Sequence, residues 1–181
     1  MSSSDEEGCF AVTFERKYYH RGSAFIKRSL RPREFRTGHR GLHVPRLRNE
    51  SLMNEAASLR FIRQHTDIPV PALYCDFKDD DAYYLVMEYV QGVAMSELSE
   101  NQKAIVSQEI QEHLGKLKTP NSNRLGGPSG LVIPPNRVRN HDETDDWRLQ
   151  SSGCNKHVFC HNDPSQYTII VNPNTLRSTQ I

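Results

Sequence analysis

The stretch from Cys9 to Leu30 constrains the chain most. Phe10, Val12, Phe14, Tyr18, Phe25 and Ile26 surround a His20-Arg21-Gly22-Ser23 turn signal. Aromatic and β-branched residues on both sides of such a turn predict a β-hairpin, with Lys27 closing its second strand. Asn49 to His65 then places Leu52, Met53, Ala56, Leu59 and Ile62 at three- and four-residue spacing, which predicts a helix with one buried stripe. Two strands follow, Ala72 to Phe77 and Ala82 to Val90, divided by the polar turn Lys78-Asp79-Asp80-Asp81. Ser99 with Gln102 three residues on matches a capping box, and Val106, Ile110, Leu114 and Leu117 give the next helix its apolar face.

Around these elements lie less regular segments. Residues 1–9 are rich in serine and acid and read as a disordered terminus. Arg31 to Arg48 is basic, carries Pro32, Gly38, Gly41 and Pro45, and reads as a loop with a solvated positive face. Asn121 to Gly153, with Gly126-Gly127-Pro128 and Pro134-Pro135, exceeds the roughly 12–15 residues at which loops become unusual. It is either a functional loop or partly ordered. Strands are expected at His157 to Cys160 and at Thr168 to Val171, with a turn through Asn172-Pro173-Asn174.

The 181 residues are 36% hydrophobic and 25% charged, enough to bury a core in one domain or slightly more. A formal charge of +1 gives no global field that would draw the chain to nucleic acid or an anionic membrane, so neither is an expected partner. The apolar runs are strand-sized, well short of the roughly 20 residues that a membrane span needs. Four scattered cysteines, Cys9, Cys75, Cys154 and Cys160, form no disulfide framework, and no signal-like stretch follows Met1; a cytoplasmic location is the simplest expectation.

Three sequence motifs bear on chemistry. Ala24-Phe25-Ile26-Lys27 offers a lysine from a strand, and Glu55 lies on the helix that follows. Alone, Lys27 is an exposed lysine and Glu55 a helix-surface acid. Tyr84-Leu85-Val86-Met87-Glu88-Tyr89-Val90 is a hydrophobic strand whose last residues run into Gly92; its bland reading is a core strand. Phe159-Cys160-His161-Asn162-Asp163-Pro164-Ser165-Gln166-Tyr167-Thr168 sets an aspartate in a loop before an Ile-Ile-Val run, and an aspartate beside a proline is commonly a turn-former.

Taken together, over about Phe10 to Leu176, these motifs resemble the kinase-like aminoglycoside phosphotransferase family, in its fungal branch. The resemblance implies an α+β, protein-kinase-like two-lobe fold. Residues 10–91 would form a nucleotide-binding lobe built on an antiparallel sheet, and 92–181 a partial helical lobe with the catalytic loop. It implies ATP and magnesium as cofactors, and phosphoryl transfer to a small-molecule or protein hydroxyl. Lys27 held by Glu55 would stabilise phosphate charge, and backbone groups of Glu88 and Val90 would bond an adenine edge. Asp163 would be the catalytic base, and His161 would brace its loop.

Two departures count against activity. The fifth residue after the aspartate is an amide-bearing magnesium ligand in such enzymes, and here it is Thr168, a shorter and poorer ligand. The later metal-binding aspartate of the pattern does not follow before Ile181, so a C-terminally truncated chain with an incomplete metal site is expected. The alternative function is therefore a non-catalytic nucleotide-binding pseudoenzyme or interaction module, or an incomplete gene product. A competing reading of Cys154, His157, Cys160 and His161 as half a zinc site lacks a second ligand pair, and adjacent Cys160 and His161 on a strand would point to opposite faces.

Overall fold

A computed structural model describes residues 6–39, 41–119, 121–135, 138, 156–160 and 165–180. The strands in chain order begin with β1 (Cys9–Val12), β2 (Arg16–Arg21) and β3 (Ala24–Ser29). A short 3-10 turn (Pro32–Glu34), β4 (Thr37–Gly38) and β5 (Gly41–Leu42) lead to helix α1 (Arg48–His65). Then come β6 (Leu73–Asp79), β7 (Ala82–Glu88), β8 (Val93–Ala94), a second 3-10 turn (Met95–Glu97) and α2 (Glu100–Leu117). β9 (Asn121–Ser122), β10 (His157–Val158), β11 (Ile170–Asn172) and β12 (Arg177–Gln180) complete the described elements.

The chain divides into two compact units, Met1–Leu59 with Pro71–Tyr89, and Arg60–Val70 with Val90–Ile181. The boundary expected at 91/92 thus falls at Tyr89/Val90. Arg60–Val70 joins the second unit because Ile62 and Ile68 bury with Leu117 in one apolar cluster.

The first unit is an antiparallel sheet in the order β1-β2-β3-β7-β6. The β2–β3 hairpin pairs Arg21 with Ala24 across two turn residues, and Gly22 alone takes positive φ, at 58°. Positive φ on the first of two turn residues is the pattern of a type II′ hairpin, which suits the strand twist. The expected hairpin gains β1 as a third strand, and β3 runs two residues past Lys27, to Ser29. Leu52 and Ala56 of α1 are fully buried against Leu85 and Met87 of β7, with Phe25, Leu59, Leu73 and Tyr83 around them.

Alternation along β3 sends Lys27 and Arg28 to opposite faces. Arg28 is 1% exposed and forks onto Glu34, Nη1 to Oε2 at 2.6 Å and Nη2 to Oε1 at 2.9 Å. Lys17 Nζ reaches Glu34 at 2.9 Å and Glu6 at 3.0 Å, and the Tyr19 hydroxyl donates to Glu6. Of the terminus expected to be disordered, residues 6–9 are therefore placed: Glu6 neutralises buried cations and Cys9 opens β1. The solvated basic face expected after β3 holds for Arg33, Arg36, His39 and His43, which are exposed, but not for Arg31. Arg31 is buried enough to set Nε 2.8 Å from Asp80 and to donate to the Tyr84 hydroxyl, although Arg33 stays exposed.

In the second unit, Gln102 Oε1 accepts from the Ser99 N–H at 3.0 Å, so the glutamine half of the predicted capping box forms at the start of α2. Val106 and Ile110 pack with Met95, Leu98, Ile169 and Val171. β8, β11 and β12 form a three-stranded sheet in the order β12-β11-β8. The strand expected at Thr168 begins two residues later, because Ser165 to Thr168 closes a turn first. β10 stops at Val158 rather than Cys160. No helix among the described residues is long and apolar enough to cross a membrane.

Candidate functional site

The start of α1 is fastened to the sheet by polar contacts. Ser29, fully buried, donates from Oγ to Asn49 Oδ1 at 2.6 Å and accepts the Tyr83 N–H at 2.8 Å. Arg48 Nη1 donates to the carbonyls of Leu30 and Asp81, both at 2.6 Å. About two turns further along the helix comes Glu55, beside the buried Leu52 and Ala56. That spacing carries its carboxylate over β2 and β3 rather than β7.

There Lys27 Nζ lies 2.5 Å from Glu55 Oε1. Lys27 sits across from Tyr18 on β2 and Leu85 on β7, and its ammonium also lies 5.9 Å from the centre of the Phe25 ring. The other carboxylate oxygen, Oε2, is 3.3 Å from Arg16 Nη1. Side-chain exposure is 19% for Lys27, 20% for Arg16 and 27% for Glu55. Burial raises the cost of ionising Glu55, yet Lys27 and then Arg16 outweigh it and hold the carboxyl below its ordinary value. Two cations on one anion leave a local charge of about +1, which suits an anionic ligand.

Of the residues marked from sequence, Lys27 and Glu55 are thus brought together. Glu88 ends β7, where its N–H donates to the Ala72 carbonyl at 2.8 Å and its Oε2 accepts the Ala72 N–H at 3.0 Å. Because Tyr89 N–H donates to the Ser23 carbonyl at 2.8 Å, ladder alternation turns the backbone of Glu88 away from β3. The N–H of Glu88 is engaged, so only its carbonyl could serve an adenine edge. Val90 begins the second unit. Thr168 donates from Oγ1 to the Ser165 carbonyl at 2.9 Å, inside the turn before β11. His161 and Asp163, and Cys154 of the alternative zinc reading, lie outside the described residues.

The segment after Asp163 is anchored in the second unit. Met95 N–H donates to Ile169 O and Ser96 N–H to Gln166 O, each at 2.9 Å. Buried Ile169 and Val171 hold its other end. Sequence reasoning missed Arg16; the signal available was alternation, since Arg16, Tyr18 and His20 share one face of β2. Among the described residues no group of three or more His, Cys, Asp or Glu gathers to hold a metal ion.

No family model matches the chain. Over 57 residues it is 40% identical to serine/threonine-protein kinase D of Synechocystis sp. (strain ATCC 27184 / PCC 6803 / Kazusa), a stretch covering 29% of this chain and 11% of that protein. A co-crystal structure of WbdD with the kinase inhibitor LY294002 superposes with a TM-score of 0.52 at 13% identity, over 94% of this chain and 30% of the other. The chain therefore spans only a small part of the length of these relatives. The superposition shows a mixed α+β, kinase-like fold.

Proposed function

From this kinase-like fold we propose that the chain is a phosphotransferase-type protein that binds ATP through its first unit and serves phosphoryl transfer to a hydroxyl acceptor. The observation that carries the reading is the contact of Lys27 with Glu55 at 2.5 Å, on the strand and helix where such folds keep their phosphate-binding lysine. A lysine held by a carboxylate faces nonbridging phosphate oxygens without wandering, and it stabilises the charge that spreads over them during transfer. The Glu88 carbonyl, in the first unit, is the proposed contact for the adenine edge. Asp163 would take the acceptor's hydroxyl proton as the new O–P bond forms and the bond from the γ-phosphorus to the leaving ADP breaks, and His161 would brace the loop that carries it.

Magnesium would supply charge neutralisation between the phosphates. Among the described residues Thr168 stands at the ligand position, and its hydroxyl, which donates to the Ser165 carbonyl, would offer a metal one oxygen on a short side chain.

Purified chain incubated with MgATP should release or transfer phosphate above an Asp163→Ala control, and equality of the two would end the catalytic reading. Thr168, where an amide-bearing ligand is expected, also favours a second reading, a nucleotide-binding protein without catalysis. It predicts thermal stabilisation by ATP that is the same with and without magnesium.

A further inference from the structure

Arg16 is the first residue of β2 and lies opposite Ser29. Its backbone is fixed from two directions. The Arg16 N–H donates to Thr13 Oγ1 at 3.0 Å, and its carbonyl accepts the Thr13 N–H at 2.8 Å. The neighbouring Glu15 carbonyl accepts the Leu30 N–H at 3.0 Å, which ties the turn to the end of β3. The side chain therefore leaves from a defined point on the face that carries Lys27.

The same contacts say what the turn between β1 and β2 does not do. The N–H groups of Thr13, Glu15 and Arg16 already have acceptors, at 2.8, 3.3 and 3.0 Å. A cradle of free backbone donors, as a glycine-rich phosphate loop provides, is not formed by those three amides. More of the burden of holding phosphate then falls on the placement of Lys27.

Lys27 by itself does not fix Glu55. An ammonium is a compact point charge without preferred direction, and the last torsion of a glutamate is broad and two-fold. A carboxylate touched at one oxygen can rotate and take the lysine with it. Arg16 touches the other oxygen, at 3.3 Å, with a planar group that favours carboxylate geometry. Two contacts on two oxygens remove the rotation that one contact permits.

We propose that Arg16 is a positioning residue which, by holding Glu55 Oε2, fixes Oε1 and so aims Lys27 at the phosphates; this role rests on the phosphoryl-transfer reading above. Arg16 from β2 and Lys27 from β3 are the charged groups in contact with Glu55 among the described residues. If Arg16 is lost, burial of Glu55 is opposed by one cation instead of two, and its protonation moves to higher pH. A protonated Glu55 no longer holds Lys27 by charge.

The test is a carboxyl-carbon NMR titration of the full chain labelled at glutamate, with the Glu55 signal assigned by its loss in Glu55→Gln. Arg16→Met should raise the Glu55 midpoint by about one unit or more, the effect typical of an opposite charge within contact distance. Arg16→Lys should restore most of that difference. MgATP binding, followed by titration calorimetry across the same pH range, should lose affinity at correspondingly higher pH in Arg16→Met. An unchanged Glu55 midpoint in Arg16→Met overturns the proposal. Should that variant fail to fold, the wild-type Arg16 guanidinium signal must shift in step with Glu55 during the titration, and indifference overturns the proposal equally. A shifted midpoint in a chain that binds no ATP would instead remove the phosphoryl-transfer reading and leave the Arg16–Glu55 coupling standing.

Discussion

Lys27 and Glu55, separated by 28 positions, meet at 2.5 Å because Ser29 and Asn49 fasten the next strand residue but one to the first turn of α1. The pair is thus a product of how the helix is seated on the sheet as much as of its own attraction.

Removing the lysine should affect ligand binding more than folding. Lys27→Met leaves a side chain of similar length beside Phe25, while deleting a charge-assisted contact worth about 1.5–3 kcal/mol. ATP affinity should fall roughly 10- to 150-fold, measured by titration calorimetry, with a thermal midpoint close to wild type.

The cluster on the opposite face should behave in the reverse way. Burial opposes ionisation of Glu34, but Arg28, the Arg31 N–H and Lys17 outweigh it and bring its pKa down to about 2. A carboxyl depressed in the folded state adds stability above its unfolded pKa, and that contribution disappears as pH falls toward the folded value. Urea denaturation should show Glu34→Gln to be less stable by about 1.5–3 kcal/mol at pH 7, since Arg28 loses its charged fork and keeps Glu6. The gap between variant and wild type should narrow as pH drops from about 5 toward 2.

Two glycines should respond with opposite sign. A Cβ at Gly92 would come 2.6 Å from Val171 O and from Ile170 Cγ2, whereas nothing lies within 4 Å of one at Gly115 on α2. Gly92→Ala should cost about 1–3 kcal/mol by overpacking. Gly115→Ala should gain about 0.5–1 kcal/mol through helix propensity, and thermal melts of both variants would show it.

Truncating the helix seat gives a fourth outcome. Leu52 is fully buried against Leu85 and Met87, so Leu52→Ala should cost about 2–5 kcal/mol in chemical denaturation. Because Leu52 lies one turn before Glu55, ATP affinity should fall as well, even though Leu52 touches no proposed ligand contact.

Periodicity made most of the regular elements readable. The stripe Leu52, Ala56 and Leu59 repeats at helical spacing, the β2–β3 turn carries its glycine where positive φ is needed, and Ser99 with Gln102 marks a helix start. Contacts with no period were invisible. Glu6 and Arg28 lie 22 positions apart, and a serine- and acid-rich start looks alike whether or not one of its acids neutralises a buried guanidinium. A basic loop says nothing about Asp80, far along the chain on the β6–β7 turn, so the partial burial of Arg31 has no sign in its own segment. At the candidate site, Lys27 and Glu55 were legible through their place in a motif. Arg16 was not, since no motif includes it and only the pleat of β2 turns it toward Glu55.

Neighbouring cations on β3 each find an acid on their own side of the sheet, Glu55 for Lys27 and Glu34 for Arg28. Slipping β3 by a single residue would move both the same way: with Arg28 in the place of Lys27, Ser29 would face Glu34, and with Lys27 in the place of Arg28, Ile26 would face Glu55. Charge matching therefore favours the alignment seen, because either slip leaves one acid without its β3 cation, and the tight Gly22-Ser23 connection reinforces it. Lengthening that connection by one residue would remove the reinforcement and leave the register of β3 to the two acids on its opposite faces.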